Sequence, residues 1–209
     1  MEIDLDRGED LAERLAERGV TDPRVLDAIA NTPREIFVGP VQSASAYLDI
    51  ALPIDCGQTI SQPFVVGYMT EKLAPEPGDD VLEIGTGSGY QAAVLARLCR
   101  HVYTIERHAE LHAEARRRFQ TLGIGNITTS LGDGSKGWPE PRLFDRIIVT
   151  AAAPTVPEAL VAQLREGGRM ILPVGRRLWA QRLVLIEKTR EGLQRRDLLS
   201  VRFVPLVAE

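Results

Sequence analysis

Three glycines at alternate positions, Gly85, Gly87 and Gly89, follow the strand-type run Val81-Leu82-Glu83-Ile84 and precede a helix-like segment from Gln91 to Cys99. A strand that ends in a Gly-rich turn and feeds a helix can cradle a nucleotide. The glycines allow backbone angles and close approaches that a Cβ would block, and the helix N-terminus offers free N–H groups. The spacing is G-x-G-x-G, not the G-x-G-x-x-G of the dinucleotide fingerprint. A tight strand–helix turn without ligand is the alternative for the loop alone.

Other carboxylates fall where such a cradle would use them. Glu106 ends the next strand, 17 residues past Gly89, where it can accept from both hydroxyls of a ribose; a glutamate at a strand end is otherwise simply solvated. Asp133, in the loop Gly132-Asp133-Gly134, can accept from an adenine amino group, although Asp-Gly by itself is a common plain turn. Glu83 stands in an apolar strand and would be costly without a partner, which a bound cofactor or the loop's own N–H groups could supply. The three histidines, His101, His108 and His112, belong to no motif. His108 and His112 are four apart on a helix, a spacing that could hold a metal, but no third ligand is evident, and a solvated face is the expectation. No metal is expected, and Cys56 and Cys99 form neither a disulfide framework nor a metal spacing.

The elements that must position these groups alternate. A helix is expected over Asp10–Arg18, ended by Gly19, and a second after Asp22 as N-cap and Pro23. Residues 46–58 read as irregular. Pro63 opens a helix to about Leu73, with Ser61 or Gln62 as cap. Strands follow at Val81, at His101–Glu106, at Asn126–Ser130, at Arg146–Thr150 and at Arg169–Pro173. Helices are expected over Ala109–Leu122 and Pro157–Leu164. This series predicts an α/β fold: a doubly wound, mostly parallel sheet covered by helices. Two final strands, Arg182–Thr189 and Leu198–Val204, suit an antiparallel C-terminal edge, and the opening helices form an N-terminal cap. One domain is expected over 1–209, with a cap and substrate segment (1–75), a cofactor-binding core (76–175) and C-terminal strands (176–209). The net charge of −4 argues against nucleic acid or an anionic membrane as partner. No apolar run approaches the roughly 20 residues needed to cross a bilayer, and the acidic N-terminus is unlike a signal peptide. A cytoplasmic protein acting as a monomer is the expectation.

Two resemblances sharpen this. Glu83 to Gly89 with Glu106, Asp133-Gly134, Phe144-Asp145 and Leu164-x-x-Gly167-Gly168 resembles the class I S-adenosylmethionine-dependent methyltransferases, whose fold is Rossmann-like. Gly57-Gln58-Thr59-Ile60-Ser61-Gln62-Pro63 with Met69-Thr70-Glu71 is similar to the signature of the protein-L-isoaspartate (D-aspartate) O-methyltransferases. So are Pro33-Arg34-Glu35-x-Phe37-Val38, Ala51 to Ile54, Glu83 to Gln91, Gly132 to Gly134, Val149 to Ala152, Leu172 to Gly175 and Val201 to Leu206. The match runs in order over almost the whole chain.

The resemblance implies methylation of the free α-carboxylate of isoaspartyl and D-aspartyl residues in aged proteins, with return to aspartate through a succinimide. It implies S-adenosyl-L-methionine as cofactor and S-adenosyl-L-homocysteine as product. Glu83, Ile84, Gly85, Thr86, Gly87, Gly89, Glu106, Arg107, Asp133, Gly134 and Thr150 would bind the cofactor. Gln58, Thr59, Ile60 and Ser61 with Val204, Pro205 and Leu206 would bind the substrate, and Ser61 is the candidate catalytic residue. The missing general base agrees with this chemistry: a main-chain-type carboxyl with a pKa near 3.3–3.7 is already ionised, so aligning the reactants is the main task. The Ser61 hydroxyl could hold a carboxylate oxygen, could cap a helix, or could do both. The same scaffold could instead serve a small molecule, RNA or a dedicated peptide, or bind the cofactor without catalysis.

Overall fold

The computed structural model describes residues 5–175 and 181–207. Two helices open it, α1 (Leu5–Glu17) and α2 (Pro23–Ala30). Leu11 and Leu15 of α1 are fully buried. The helix starts before the expected Asp10, because its polar first turn carries no apolar repeat to mark it. Asp22 caps α2 as expected, accepting from the Arg24 N–H at 2.9 Å. Residues 34–57 then run through three 3-10 turns, and a short antiparallel hairpin pairs β1 (Leu52–Pro53) with β2 (Thr59–Ile60).

Helix α3 (Pro63–Leu73) begins at Pro63, but neither Ser61 nor Gln62 caps it with a side chain. Asp49 does so from outside: its Oδ1 accepts from the Phe64 N–H at 2.8 Å and its Oδ2 from the Gln62 side-chain amide at 3.0 Å. Arg18 closes the cluster by pairing with the same carboxylate. A full carboxylate at the helix N-terminus is stronger than a serine hydroxyl, so the Ser61 side chain is left out of the capping.

The rest of the chain builds a seven-stranded sheet. Its elements are β3 (Asp80–Ile84), α4 (Tyr90–Ala96), β4 (His101–Glu106), α5 (Ala109–Thr121), β5 (Ile127–Leu131), β6 (Phe144–Val149), α6 (Glu158–Gln163), β7 (Leu164–Val174), β8 (Gln181–Thr189) and β9 (Gly192–Val201). Spatial order is β5-β4-β3-β6-β7-β8-β9. β5 through β7 are parallel, and β8 and β9 add the antiparallel edge. After β4 and β5 on one side of β3 the chain crosses to β6 on the other, so a crevice opens at the carboxyl end of β3. Every β3 residue is buried, as a strand covered on both faces requires. One face of the sheet packs on α1 to α5 through Val81, Val102 and Ile148. The other packs Leu82, Ile84 and Val149 against Trp138 and Leu160.

Other boundaries also differ from expectation. Helix α4 stops at Ala96, short of Cys99. β7 starts at Leu164, paired with Phe144, and a register shift before Arg169 bulges out the Gly167-Gly168 pair. β9 runs over Gly192–Val201 rather than Leu198–Val204, because a tight turn brings Thr189 opposite Gly192 and the polar run Gln194–Asp197 forms an exposed edge. Residues 176–180, the start of the expected C-terminal segment, lie outside the described residues.

Candidate active site

The glycine loop takes its shape from the end of β4. The N–H groups of Gly85 and Thr86 both donate to the Ile105 carbonyl, at 2.9 and 3.2 Å, and the Gly89 N–H closes a turn on the Thr86 carbonyl. Glu106 works from the same place. Its Oε2 accepts from the Gly87 N–H at 2.8 Å and its Oε1 from the His108 N–H at 2.9 Å. Those bonds fix both oxygens at the lip of the cleft while leaving lone pairs for further donors. Much of the loop's N–H capacity is therefore met within the protein. Gly85 sits at φ 95°, and a Cβ there would lie 2.5 Å from the Thr150 hydroxyl; Gly89, at φ 93°, backs onto the Phe119 ring at 2.8 Å. At both positions a side chain is excluded twice, by backbone angle and by contact.

Glu83 lies beneath this loop and does not line the cleft. It is fully buried, and its partner is neither the loop's N–H groups nor open space. Thr104, directly opposite in the sheet, donates to Glu83 Oε2 at 2.5 Å, and the Thr104 and Thr86 hydroxyls are 2.6 Å apart. Burial pushes the Glu83 carboxyl up to about 8, so it is protonated at neutral pH, which avoids the cost of an unpaired buried charge. Its Oε1 has no hydrogen-bond partner.

The cleft is walled by the glycine loop, by Glu106, Arg107 and His108 after β4, by Gly132 and Gly134 after β5, and by Thr150 after β6. The Thr150 hydroxyl stands 2.6 Å from the Gly85 carbonyl and 3.0 Å from that of Ile84, tying the ends of β3 and β6 together. On the open side Gln58, Thr59, Ile60 and Ser61 face the tail residues Val204, Pro205 and Leu206 across the cleft. The tail leaves the sheet after β9 and bridges to Ala152: the Ala152 N–H donates to the Val204 carbonyl, and the Leu206 N–H to the Ala152 carbonyl, each at 2.8 Å. Buried Gln181 clamps it from behind, accepting from the Phe203 N–H at 2.6 Å and donating to the Phe203 carbonyl at 3.1 Å. A second, wider groove, lined by Arg18, Phe64, Gln181 and the strand end Leu199 to Val204, joins the cleft. The two share Thr59, Ser61, Thr150 and Val204. Among the described residues the Ser61 hydroxyl makes no hydrogen bond, so it is available at this seam.

Most of the residues singled out by sequence therefore meet around one cleft. Glu83, Gly89 and Asp133 support it without lining it. The Asp133 Oδ1 accepts from the Ser135 N–H at 2.9 Å and from its hydroxyl at 2.7 Å, and so caps a 3-10 turn. Tyr90, Gln91 and His108 line the cleft without having been foreseen. His108 is the N-cap residue of α5 rather than part of its face, and its place two residues after Glu106 was the available signal. His112 turns instead to the Thr129 hydroxyl, 3.0 Å away.

Known proteins resemble the chain over this whole arrangement. The family model for protein-L-isoaspartate(D-aspartate) O-methyltransferase matches residues 6–209. The protein-L-isoaspartate O-methyltransferase of Parvibaculum lavamentivorans is 55% identical, over 99% of this chain and 96% of its own. That of Paracoccus denitrificans is 56% identical over 92% and 89%. A solved protein-L-isoaspartate O-methyltransferase superposes with a TM-score of 0.86 at 34% identity, covering 96% of this chain and 66% of that one. A Plasmodium falciparum structure described as a protein-L-isoaspartate O-methyltransferase, in complex with S-adenosyl-L-homocysteine, gives 0.84 at 26% identity over 96% and 98%. A match this complete, on a sheet whose cleft and groove meet at Ser61, makes the chain a member of the protein-L-isoaspartate(D-aspartate) O-methyltransferase family.

Proposed function

We propose that this protein is a repair methyltransferase that moves a methyl group from S-adenosylmethionine to the free α-carboxylate of L-isoaspartyl, and D-aspartyl, residues in damaged proteins. The observation that carries this reading is the seam: a nucleotide-sized cleft and a peptide-sized groove open into each other at Ser61 and Thr150. The cleft suits the cofactor. Gly85 lets Thr150 pack against the loop at the cleft wall, and Glu106 is held at the lip with spare lone pairs for the ribose hydroxyls. Ile84, Thr86, Gly87, Arg107, Gly134 and Thr150 complete the cofactor's surroundings, while Glu83, Gly89 and Asp133 hold the walls in shape.

When bound, S-adenosylmethionine supplies an activated sulfonium methyl. The protein's own task is placement. The acceptor carboxylate is ionised at neutral pH, so no side chain has to remove a proton. Ser61, free of capping duty, donates its hydroxyl to one carboxylate oxygen and so orients the other. Gln58, Thr59 and Ile60 form one wall for the substrate chain, and Val204, Pro205 and Leu206 the other. Main-chain contacts along the tail and the end of β9 give affinity without sequence preference, as repair of many different proteins demands. The methyl ester product then cyclises to a succinimide, and hydrolysis returns part of it to aspartate.

Residues 1–75 act as cap and substrate segment, 76–175 as the cofactor-binding core and 176–209 as the strands that complete the groove. We take the enzyme to act as a monomer on isoaspartyl proteins and peptides. The net charge of −4 supports a role without nucleic acid. No helix among the described residues is long and apolar enough to cross a membrane, and we place the enzyme in the cytoplasm. The deciding assay offers methyl-labelled S-adenosylmethionine with two peptides of one sequence, carrying isoaspartate or aspartate. Base-labile label should enter only the isoaspartyl peptide; label in both, or in neither, would refute the repair reading.

A further inference from the structure

Arg34 is a motif residue whose chemistry the reaction above leaves unused. Its side chain is fully buried, and the groups that act on its charge are the phenols of Tyr90 and Tyr47. The neighbouring Glu35 carboxylate is engaged elsewhere, by the Tyr47 hydroxyl. The guanidinium makes three contacts instead. Nε donates to the Ala46 carbonyl at 2.8 Å, one terminal nitrogen donates to the Ser61 carbonyl at 2.7 Å, and the group lies 4.7 Å from the centre of the Tyr90 ring. The other terminal nitrogen, Nη1, is buried without a hydrogen-bond partner.

A buried cation is costly unless an anion or strong acceptors compensate it. Here the compensation is incomplete, and the place where it is incomplete is informative. Ser61 faces the acceptor groove. Tyr90 opens the helix behind the glycine loop and lines the cofactor cleft. One rigid guanidinium therefore touches both halves of the seam, and a planar fork holds two carbonyls in fixed directions as an ammonium cannot.

We propose that Arg34 is a positioning residue that holds Ser61 in register with the glycine loop through Tyr90, its unpaired charge favouring an anionic methyl acceptor over a neutral one. This rests on methyl transfer at Ser61. The charge acts from within the low-dielectric core, where its field reaches the seam with little screening, and it gains an opposite charge nearby when the substrate carboxylate binds.

The test compares wild type with Arg34→Lys and Arg34→Met. It uses an isoaspartyl peptide and the same peptide with the free carboxyl replaced by a neutral carboxamide, which binds without being methylated. Arg34→Lys should keep the preference for carboxylate over carboxamide, measured as the ratio of their dissociation constants, but lose about tenfold in kcat through poorer alignment. Arg34→Met should lose both, its ratio falling by about fivefold to tenfold, while the dissociation constant of S-adenosylhomocysteine changes less. If both peptides weaken equally in Arg34→Met, or kcat stays at the wild-type value in Arg34→Lys, the proposal is overturned. Should Arg34→Met fail to fold, the kcat of Arg34→Lys decides alone. A wild-type enzyme that methylates no isoaspartyl peptide would refute the function itself; an active wild type with indifferent variants would refute only the role of Arg34.

Discussion

The two sides of the seam at Ser61 are built by different means. On the cofactor side the loop is shaped by the strand beside it, through the Ile105 carbonyl, the Glu106 carboxylate and the Thr104 hydroxyl. On the acceptor side Ser61 and Val204 are held by long side chains from separate parts of the chain: Asp49 at the start of α3, Arg34 behind Ser61 and Gln181 behind the tail. The first construction needs glycine and backbone angles. The second needs particular side chains at particular lengths. A cofactor common to many reactions is met by backbone geometry with a few short-range side chains from the adjoining strand, whereas the substrate surface is assembled by tethers from separate parts of the chain.

The largest effect expected from breaking this arrangement concerns the foundation of the cofactor side. The Glu83 carboxyl holds its proton up to about 8 in the fold, against about 4.3 in an unfolded chain. Between those values the unfolded state releases a proton that the folded state keeps, so stability falls as pH rises through the window and levels off above it. Glu83→Gln imitates the protonated form and removes that slope. Relative to wild type it should gain several kcal/mol at pH 8 and much less at pH 5. Urea midpoints at the two pH values check this; parallel behaviour of the two proteins would mean that Glu83 is ionised within the fold.

Next in size is Gly85→Ala, which combines an unfavourable φ with a clash at Thr150. The strain of about 2–3 kcal/mol should weaken S-adenosylhomocysteine binding by about a hundredfold, read by calorimetry, while peptide binding weakens far less. Equal losses on both sides would show that cleft and groove are not independently built. The smallest effect belongs to Ser61→Ala. Losing one hydrogen bond to a charged group should lower kcat by about tenfold, with the cofactor dissociation constant unchanged. Turnover at the wild-type level would remove Ser61 from the chemistry.

What the sequence disclosed follows the same division. The glycine loop, Glu106 and the strand–helix alternation were legible because each is local: neighbouring residues specify a turn, a strand end or a helix start. Glu83 was recognised as needing a partner, but its partner is set by sheet register, which places Thr104 opposite it. Gln62 is the N-cap residue of α3, one of the two expected, but the capping hydrogen bond comes from Asp49, which lies 15 residues before Phe64 and carries no sign of its destination. β9 was displaced along the chain because an exposed edge strand of Gln, Arg and Asp shows no apolar alternation to read. The seam itself was recovered by resemblance, since nothing local in Gly57–Pro63 or Val201–Leu206 says that the two segments face one another.

The bridge from Ala152 to the tail also bears on how the molecule comes together. The cofactor cradle joins β3, β4 and β6 across at most 66 residues of chain, at Thr150 and Ile84, whereas the substrate groove closes only when Val204 comes to Ser61, 143 residues earlier, past β7, β8 and β9. Contacts between distant residues pay their chain-closure entropy late and form slowly. A refolding chain should thus own a cradle before it owns a groove, and its ability to recognise damage in other proteins should be the last property it acquires and the first it loses on warming.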